Sequence, residues 1–326
     1  MLSTVYPLRA MDVLTDVLNA LHLQSTLYCR AELTAPWMLR FAPTHIATFH
    51  VVEQTSCWLQ VDGEPTAVAL ADGDVIMLPH GTGHQIGHAP NTTVVATIQL
   101  DQEIPTVCQV RHFEGDGAHT TLLCGLFNFD QDNGHPLLQQ LPPLIHIGRA
   151  AGQTSERLDA TLKFLASEAG SSRPGTETMI KRLADILFVQ IIRFWVEYQA
   201  KASSGWLSAL RDPQISAALA LIHRCPERAW TVQGLAQEVA LSRAAFAARF
   251  SNLVGEPPLH YLTGWRLRTA AGLLRRRELG MAEIAERVGY QSEVTFSKAF
   301  KRELGVAPGT YRRRYQAVST RARGLP

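Results

Sequence analysis

The sequence predicts an α+β protein of more than one domain: a β-rich N-terminal part, a run of helices, and an all-helical C-terminal part. Three observations predict this. Short apolar runs between tight turns fill the chain up to about Ile147. Apolar residues then recur at three and four positions from Ser155 onward. Finally, a pattern of two short helices joined by a turn occurs twice after Asp212, about fifty residues apart.

In the first part the apolar runs are Val51-Val52, Trp58-Leu59, Val75–Leu78 and Thr93–Ile98, punctuated by Asp62-Gly63, Asp72-Gly73 and Gly81-Thr82-Gly83. Short strands at this spacing make a sandwich or barrel. Next come two helical segments, Ser155–Glu168 and Glu177–Tyr198, separated by Ser171-Ser172-Arg173-Pro174-Gly175. The second carries Ile180, Leu183, Ala184, Leu187, Ile191, Phe194 and Trp195 in one stripe. Such a stripe suits a partner subunit, the β-rich part, or an ordinary core. Lys201–Gly205 is small and polar and reads as a linker. The expected division is 1–150, 151–211 as a helical linker or dimerisation region, 212–316, and a tail at 317–326.

With 326 residues and 46% hydrophobic content the chain can bury more than one core. No apolar run reaches the roughly 20 residues of a membrane-spanning helix, and the first ten residues lack the pattern of a signal peptide. A cytoplasmic protein with no membrane partner is expected. Cys29, Cys57, Cys108, Cys124 and Cys225 are odd in number and form no CxxC pair, which argues against a disulfide framework or a zinc ribbon. The net charge of +2 hides an asymmetry. From Gly205 onward 19 basic face 9 acidic residues, giving +10, whereas the preceding part carries 12 and 20, giving −8. A polyanion-binding module fused to a different kind of domain has this signature.

The C-terminal pattern gives that module a form. Thr231 sits where a helix N-cap belongs, and Leu235, Ala236 and Val239 share one face. Ala240-Leu241 is a short connection, and Ser242 caps a second helix with Phe246, Phe250 and Leu253 at helical spacing before Gly255. The unit recurs with Ile284, Ala285 and Val288, a turn at Gly289-Tyr290, a cap at Ser292, and Phe296, Phe300 and Leu304 before Gly305 and Pro308. Leu259–Arg277 forms an amphipathic helix between them. A helix N-cap exposes backbone N–H groups that can take a phosphate.

The stretches LAQEVALSRAAFAARFSNLVGEPPLHYLTGWRLRTAAGLL and IAERVGYQSEVTFSKAFKRELGVAPGTYRRR resemble the AraC/XylS regulator signature over roughly a hundred residues. The match runs through Leu235, Ser242, Phe250, Gly255, Pro258, Tyr261, Ile284, Gly289, Ser292, Phe296, Gly305, Pro308 and Tyr311. The resemblance implies two recognition helices that enter adjacent major-groove segments about one helical turn apart. Carried over by position, Ser242, Arg243, Ala244, Ala247 and Ala248 face the groove in the first, with Arg249 a further donor. Ser292, Glu293, Val294, Ser297 and Lys298 do so in the second, with Arg302 beside them. Three of the four inner positions of the first helix are alanine, which can touch a thymine methyl but cannot donate a hydrogen bond. Lys298 suits guanine and Glu293 a cytosine amine. Arg275–Arg277 and Arg312–Arg314 suit phosphates, which position without specifying.

In the first part, Gly73–His84 has the form G-x5-P-x-G-x2-H and resembles the second conserved motif of cupins, small β-barrels. A cupin-like barrel is therefore expected. In metal-binding cupins the last His is a ligand, here His84. The first cupin motif is incomplete: His50 and Glu53 stand at the wrong spacing, with Thr48 in place of a His. Cys124 to Ile147 also resembles a cupin-type sensor subgroup of AraC regulators, through Cys124-Gly125, Phe127 and His135–Leu138. His50, His84 and Cys124 are candidate ligands for a divalent metal such as zinc if the barrel brings them together. Alternatively the histidines are hydrogen-bonded barrel residues and Cys124 a small buried hydrophobe. A redox role for Cys57 or Cys124 would require a depressed thiol pKa.

These readings combine into a sequence-specific transcription regulator that senses a small molecule, a metal or a redox signal. Its expected partners are promoter DNA, a small-molecule effector, RNA polymerase and a second copy of the chain. Two alternatives remain: a cupin metalloenzyme, which lacks a complete ligand set, and a nonspecific architectural DNA binder, against which the duplicated motif argues.

Overall fold

The structure, a computed structural model, describes residues 13–20, 23–100, 108–129, 136–149, 155–199, 206–276 and 279–323. The Lys201–Gly205 linker, the boundary at residue 150, His135 and Arg277 lie outside these residues. The chain divides into two compact units. One comprises Leu23–Phe129 and Leu141–Gln199; the other comprises Met1–His22, Asp130–Gln140 and Ala200–Pro326.

The first unit is a two-layer β-sandwich carrying helices. Its strands are β1 (Gln24–Thr34), β2 (Met38–Phe41), β3 (Ala47–Glu53), β4 (Cys57–Val61), β5 (Val68–Leu70), β6 (Val75–Leu78), β7 (His84–Gly87), β8 (Ala96–Ile98), β9 (Gln109–Phe113), β10 (His119–Asn128) and β11 (Ile145–Ile147). One sheet runs β11-β6-β3-β10-β1-β9 and the other β5-β4-β7-β2-β8. The expected barrel is thus two facing sheets that do not close. The edge strands are only three to five residues long, too short to pair around the rim.

Alternation along the strands sets two apolar faces. Val52, Ile76, Leu78, Leu122, Cys124 and Leu126 point between the sheets and join Leu39, Phe41, Leu59 and Ile86 in one core. The opposite face of the six-stranded sheet is covered by helix. Phe127 and Phe129 both lean at a tilt on Phe188 of α4 (Thr176–Phe194), with centroids 5.0 Å apart. This two-sided burial is why β3 and β10 read as continuous apolar runs rather than alternating ones. α3 (Glu156–Ala169) packs on α4 within the same unit. The Glu177–Tyr198 stripe therefore serves an intra-unit core, and at its end the chain is wound as a π-helix over Trp195–Gln199.

The second unit is all helical. It contains α1 (Val13–Ala20), α2 (Pro136–Gln139), α5 (Trp206–Arg211), α6 (Pro213–Arg224), α7 (Val232–Glu238), α8 (Arg243–Val254), α9 (Pro258–Arg275), α10 (Met281–Arg287), α11 (Glu293–Leu304) and α12 (Pro308–Arg323). Asp212 caps α6, its carboxylate accepting from the backbone N–H groups of Gln214 and Ile215. α12 continues to Arg323, past the position where the sequence suggested a tail. α9 packs against α6 and α8 on one side and α10, α11 and α12 on the other, so it belongs to both repeats.

Candidate nucleic-acid interface

The two repeats are built alike. Thr231 caps α7 by accepting from Gly234 N, and Ser242 caps α8 by accepting from Ala245 N at 3.2 Å. Ser292 does the same for α11 through Thr295 N at 3.1 Å, and its hydroxyl also pairs with that of Thr295. In the second helix of each repeat two phenylalanines are fully buried, Phe246 and Phe250 in α8 and Phe296 and Phe300 in α11. A tyrosine closes each core, Tyr261 below α8 and Tyr311 below α11, in edge contact with Phe250 and Phe300 respectively.

The turns also match. Leu241 N donates to Ala236 O at 2.9 Å, and Tyr290 N to Ala285 O at 2.8 Å. Both turns need a left-handed residue, supplied by Gly289 at φ 85 and, in the first repeat, by Ala240 at φ 55. The second turn has one residue more, Gln291, before its serine cap.

With the aromatic side buried, the opposite side faces outward. Ser242, Arg243, Ala244, Ala248 and Arg249 are exposed, and Ala247 is half-buried. On α11, Ser292, Glu293, Val294, Lys298 and Arg302 are exposed and Ser297 is half-buried. The structure thus gathers each set along one outward helix face. Val294 is 65% exposed, an unusual setting for a β-branched residue on a soluble helix.

Three arginines lie differently from the sequence expectation. Arg249 donates to Asp212 Oδ2 at 2.7 Å and to Gln214 Oε1 at 2.9 Å, so its fork ties α8 to the cap of α6. Arg275 donates to the Tyr311 hydroxyl and lies over the Tyr315 ring at 4.2 Å. Arg312 donates to Leu279 O at 2.9 Å. These hold the fold, whereas Arg243, Arg276, Arg313 and Arg314 are exposed. Sequence reasoning missed Thr295, although a hydroxyl three residues after a serine cap was a readable sign. Nothing in the sequence pointed to the pairing of Arg249 with Asp212, 37 residues away.

In the β-rich unit the sequence-predicted trio does come together. His50 on β3 and Cys124 on β10 are cross-strand partners, and His84 reaches in from β7 of the other sheet. Gly81 permits the preceding turn: a Cβ there would lie 2.3 Å from Thr44 O. The three side chains form a line. Cys124 Sγ is 3.1 Å from His50 Nδ1, His50 Nε2 is 2.9 Å from His84 Nε2, and His84 Nδ1 is 2.8 Å from Thr82 O. The carbonyl fixes the rest. His84 donates through Nδ1 and accepts at Nε2, so His50 donates through Nε2 and accepts the Cys124 S–H at Nδ1.

Burial holds His50 far below the ordinary imidazole range and His84 down to about 4, so both rings are neutral at pH 7. A metal needs donors converging on one point, but Cys124 and His84 lie on opposite edges of the His50 ring. Phe41 stacks on His84 and leans on His50, both at 4.7 Å. Among the described residues no group of three or more His, Cys, Asp or Glu side chains is arranged to hold a metal ion. The trio does not fit a metal centre and reads as a hydrogen-bonded core. Cys57 is buried, its thiol pushed up to about 12 by burial and then by Asp74, the reverse of a reactive cysteine.

Comparison with known proteins bears on both units. A family profile described as "Cupin" matches residues 12–197, and one described as "Helix-turn-helix domain" matches residues 235–314. An AraC-like transcription regulator of Streptomyces lividans is 36% identical over 93% of this chain and 98% of its own length.

The chain belongs to the AraC-like family of transcription regulators.

The HTH-type transcriptional regulator AlkR of Acinetobacter baylyi is 33% identical over 93% of the chain and 99% of its own length. The DNA-binding domain of AdpA, solved with a target DNA, is 30% identical over 35% of this chain and 96% of that one, with a TM-score of 0.29. As an AraC-like regulator the chain is a DNA-binding protein with a cupin N-terminal domain. No helix among the described residues is long and apolar enough to cross a membrane.

Proposed function

We propose that this regulator reads promoter DNA with the outward faces of α8 and α11, and that its cupin unit sets the strength of that reading in response to a small effector. The carrying observation is the matched pair of serine-capped helices, each with its aromatic side buried and its polar side exposed. Arg243 supplies the polar contact of α8, and its alanines meet thymine methyls. Lys298 and Glu293 read base edges from α11, while Val294 offers an apolar contact. α9 has 18 residues and is about 27 Å long at 1.5 Å per residue, which suits two readers placed near one turn of the duplex apart.

The protein acts in the cytoplasm without catalysing a reaction and works through RNA polymerase. Phe164, Met179 and Ile186, exposed on α3 and α4, support self-association. The test is competition between the promoter fragment beside the gene and random DNA of equal length, at physiological salt. A preference on the order of a thousandfold supports the reading. Equal binding of both DNAs overturns it in favour of an architectural binder.

A further inference from the structure

A cleft of about 410 Å³ opens within the cupin unit, between the outer face of the six-stranded sheet and α3. That volume lies within the roughly 300–1,000 Å³ range of small-molecule sites. Ala31 and Val52 belong to the core between the sheets, so strand alternation turns Arg30 and Glu53 outward, to this cleft. Asp72 and Arg149 border it, and α3 adds Asp159 and Lys163. Three acids and three bases thus line one space, and their charges sum to zero.

These charges are only loosely matched. Arg30 stands 3.4 Å from both Glu32 and Glu53, and Arg149 stands 3.3 Å from Asp72 and 3.8 Å from Asp159. A tight pair of this kind closes to about 2.7–2.9 Å. Glu53 accepts from Arg30 at that long distance, and a carboxylate has room for several donors. Burial pushes the Glu53 carboxyl up, Arg30 pulls it back only in part, and Asp72 adds to the rise. Lys163 is exposed and makes no hydrogen bond or ion pair among the described residues. Beneath, Thr121 sits between Glu32 and Glu53 in one cross-strand row, and its buried hydroxyl has no hydrogen-bond partner. The cleft therefore holds an acid short of a cation and a cation short of an acid.

We propose that this cleft binds a small zwitterion of amino-acid size, its ammonium on Glu53 and its carboxylate on Lys163, and that this molecule is the effector of the cupin unit. The effector role rests on the regulator reading above. A simple anion would meet three carboxylates and a simple cation three bases, whereas a molecule carrying both signs completes both unfilled partners. An apolar ligand would strip water from charged groups and return nothing to them. Bridging Glu53 on β3 to Lys163 on α3 also ties the helix to the sheet. The free chain makes that tie weakly, through Arg30 to Ala166 O at 3.5 Å.

The test titrates the full-length protein in a calorimeter with each of the twenty standard amino acids, up to about 10 mM, well above the micromolar to millimolar affinities of small ligands. The amine and carboxylic-acid counterparts of the tightest binder follow. The expected result is saturable binding of at least one amino acid, weakened about tenfold or more when either charge is removed from it. Lys163→Met should keep the wild-type melting profile and lose binding by a similar factor, Lys163→Arg should restore most of it, and Glu53→Gln should weaken it as well. No saturable binding by any amino acid, equal binding of the single-charge counterparts, or unchanged affinity in Lys163→Met overturns the site. The bound amino acid should also shift promoter affinity about tenfold, a typical coupling, in the wild type but not in Lys163→Met. Binding without that shift overturns the effector role. A protein that binds random DNA as well as promoter sinks the regulator reading, and the calorimetric readout is unaffected by it.

Discussion

The turn positions Ala240 and Gly289 give a prediction of opposite sign from equivalent places. Ala240 is held at φ 55, where a Cβ costs about 1–2 kcal/mol against the following carbonyl. Glycine removes that cost but gives back about 0.5–1 kcal/mol in the freedom of the unfolded chain. Ala240→Gly should therefore stabilise the DNA-binding unit by about 0.5–1 kcal/mol. For a unit of about a hundred residues this raises its unfolding midpoint by roughly 4 °C. Gly289→Ala runs the other way. Beyond the left-handed penalty, its Cβ would lie 2.7 Å from Arg266 Nη2 and 2.9 Å from the Glu227 Cα. Arg266 cannot simply withdraw, because it donates to Pro226 O and Arg228 O. A loss of about 2 kcal/mol or more is expected. Calorimetry on the full chain, following the transition of the helical unit, reads both. Shifts of the same sign, or a lower midpoint for Ala240→Gly, would refute the turn geometry.

Arg243→Ala should weaken promoter binding by about 1–3 kcal/mol and leave the melting profile unchanged, as fluorescence anisotropy and calorimetry would show. Arg249→Ala should do the reverse. Specificity is kept, while stability falls by no more than about 1 kcal/mol because Arg249 itself is nearly half exposed. His84 is neutral in the native state down to about pH 4 but protonates near 6.5 when unfolded. The unfolded chain thus binds more protons between those values. The cupin unit should lose about 1.4 kcal/mol per pH unit from this group as pH falls from 6.5 to 4, and urea melts of His84→Gln should lack that slope. Lys298→Ala should relax selection at one base position in a randomised-site assay; uniform weakening across all sites would instead mark it as a phosphate contact.

The helical unit was largely legible because its signals are local. Caps, turn glycines and aromatic spacing lie within a dozen residues of one another, and the structure puts Thr231, Ser242 and Ser292 at the caps where the pattern placed them. The ties of Arg249 to Asp212 and of Arg275 to Tyr311 were not legible, because each partner is more than thirty residues away. In the β-rich unit the strands at Val51, Trp58 and Val75 were visible as apolar runs. Sheet membership was not, since two open sheets and a closed barrel share the same alternation. His50, His84 and Cys124 were singled out together correctly. What the sequence could not give was which ring nitrogen faces which neighbour, and that detail separates a hydrogen-bonded line from a metal centre. That Cys29 of β1 stands opposite Cys124 of β10 depends on strand register, which composition does not encode.

The inequality of the two repeats sets the symmetry of what they can recognise. A two-fold dimer of identical readers sees the same sequence from either direction. Here one chain presents a small, alanine-lined face on α8 and a larger face with Val294, Glu293 and Lys298 on α11, joined by a single shared helix. The site bound by one chain therefore has a head and a tail. Reversing the site within a promoter, with every base pair kept, would turn the bound helical unit end for end, so that α8 meets the bases that α11 met in the original orientation along the promoter.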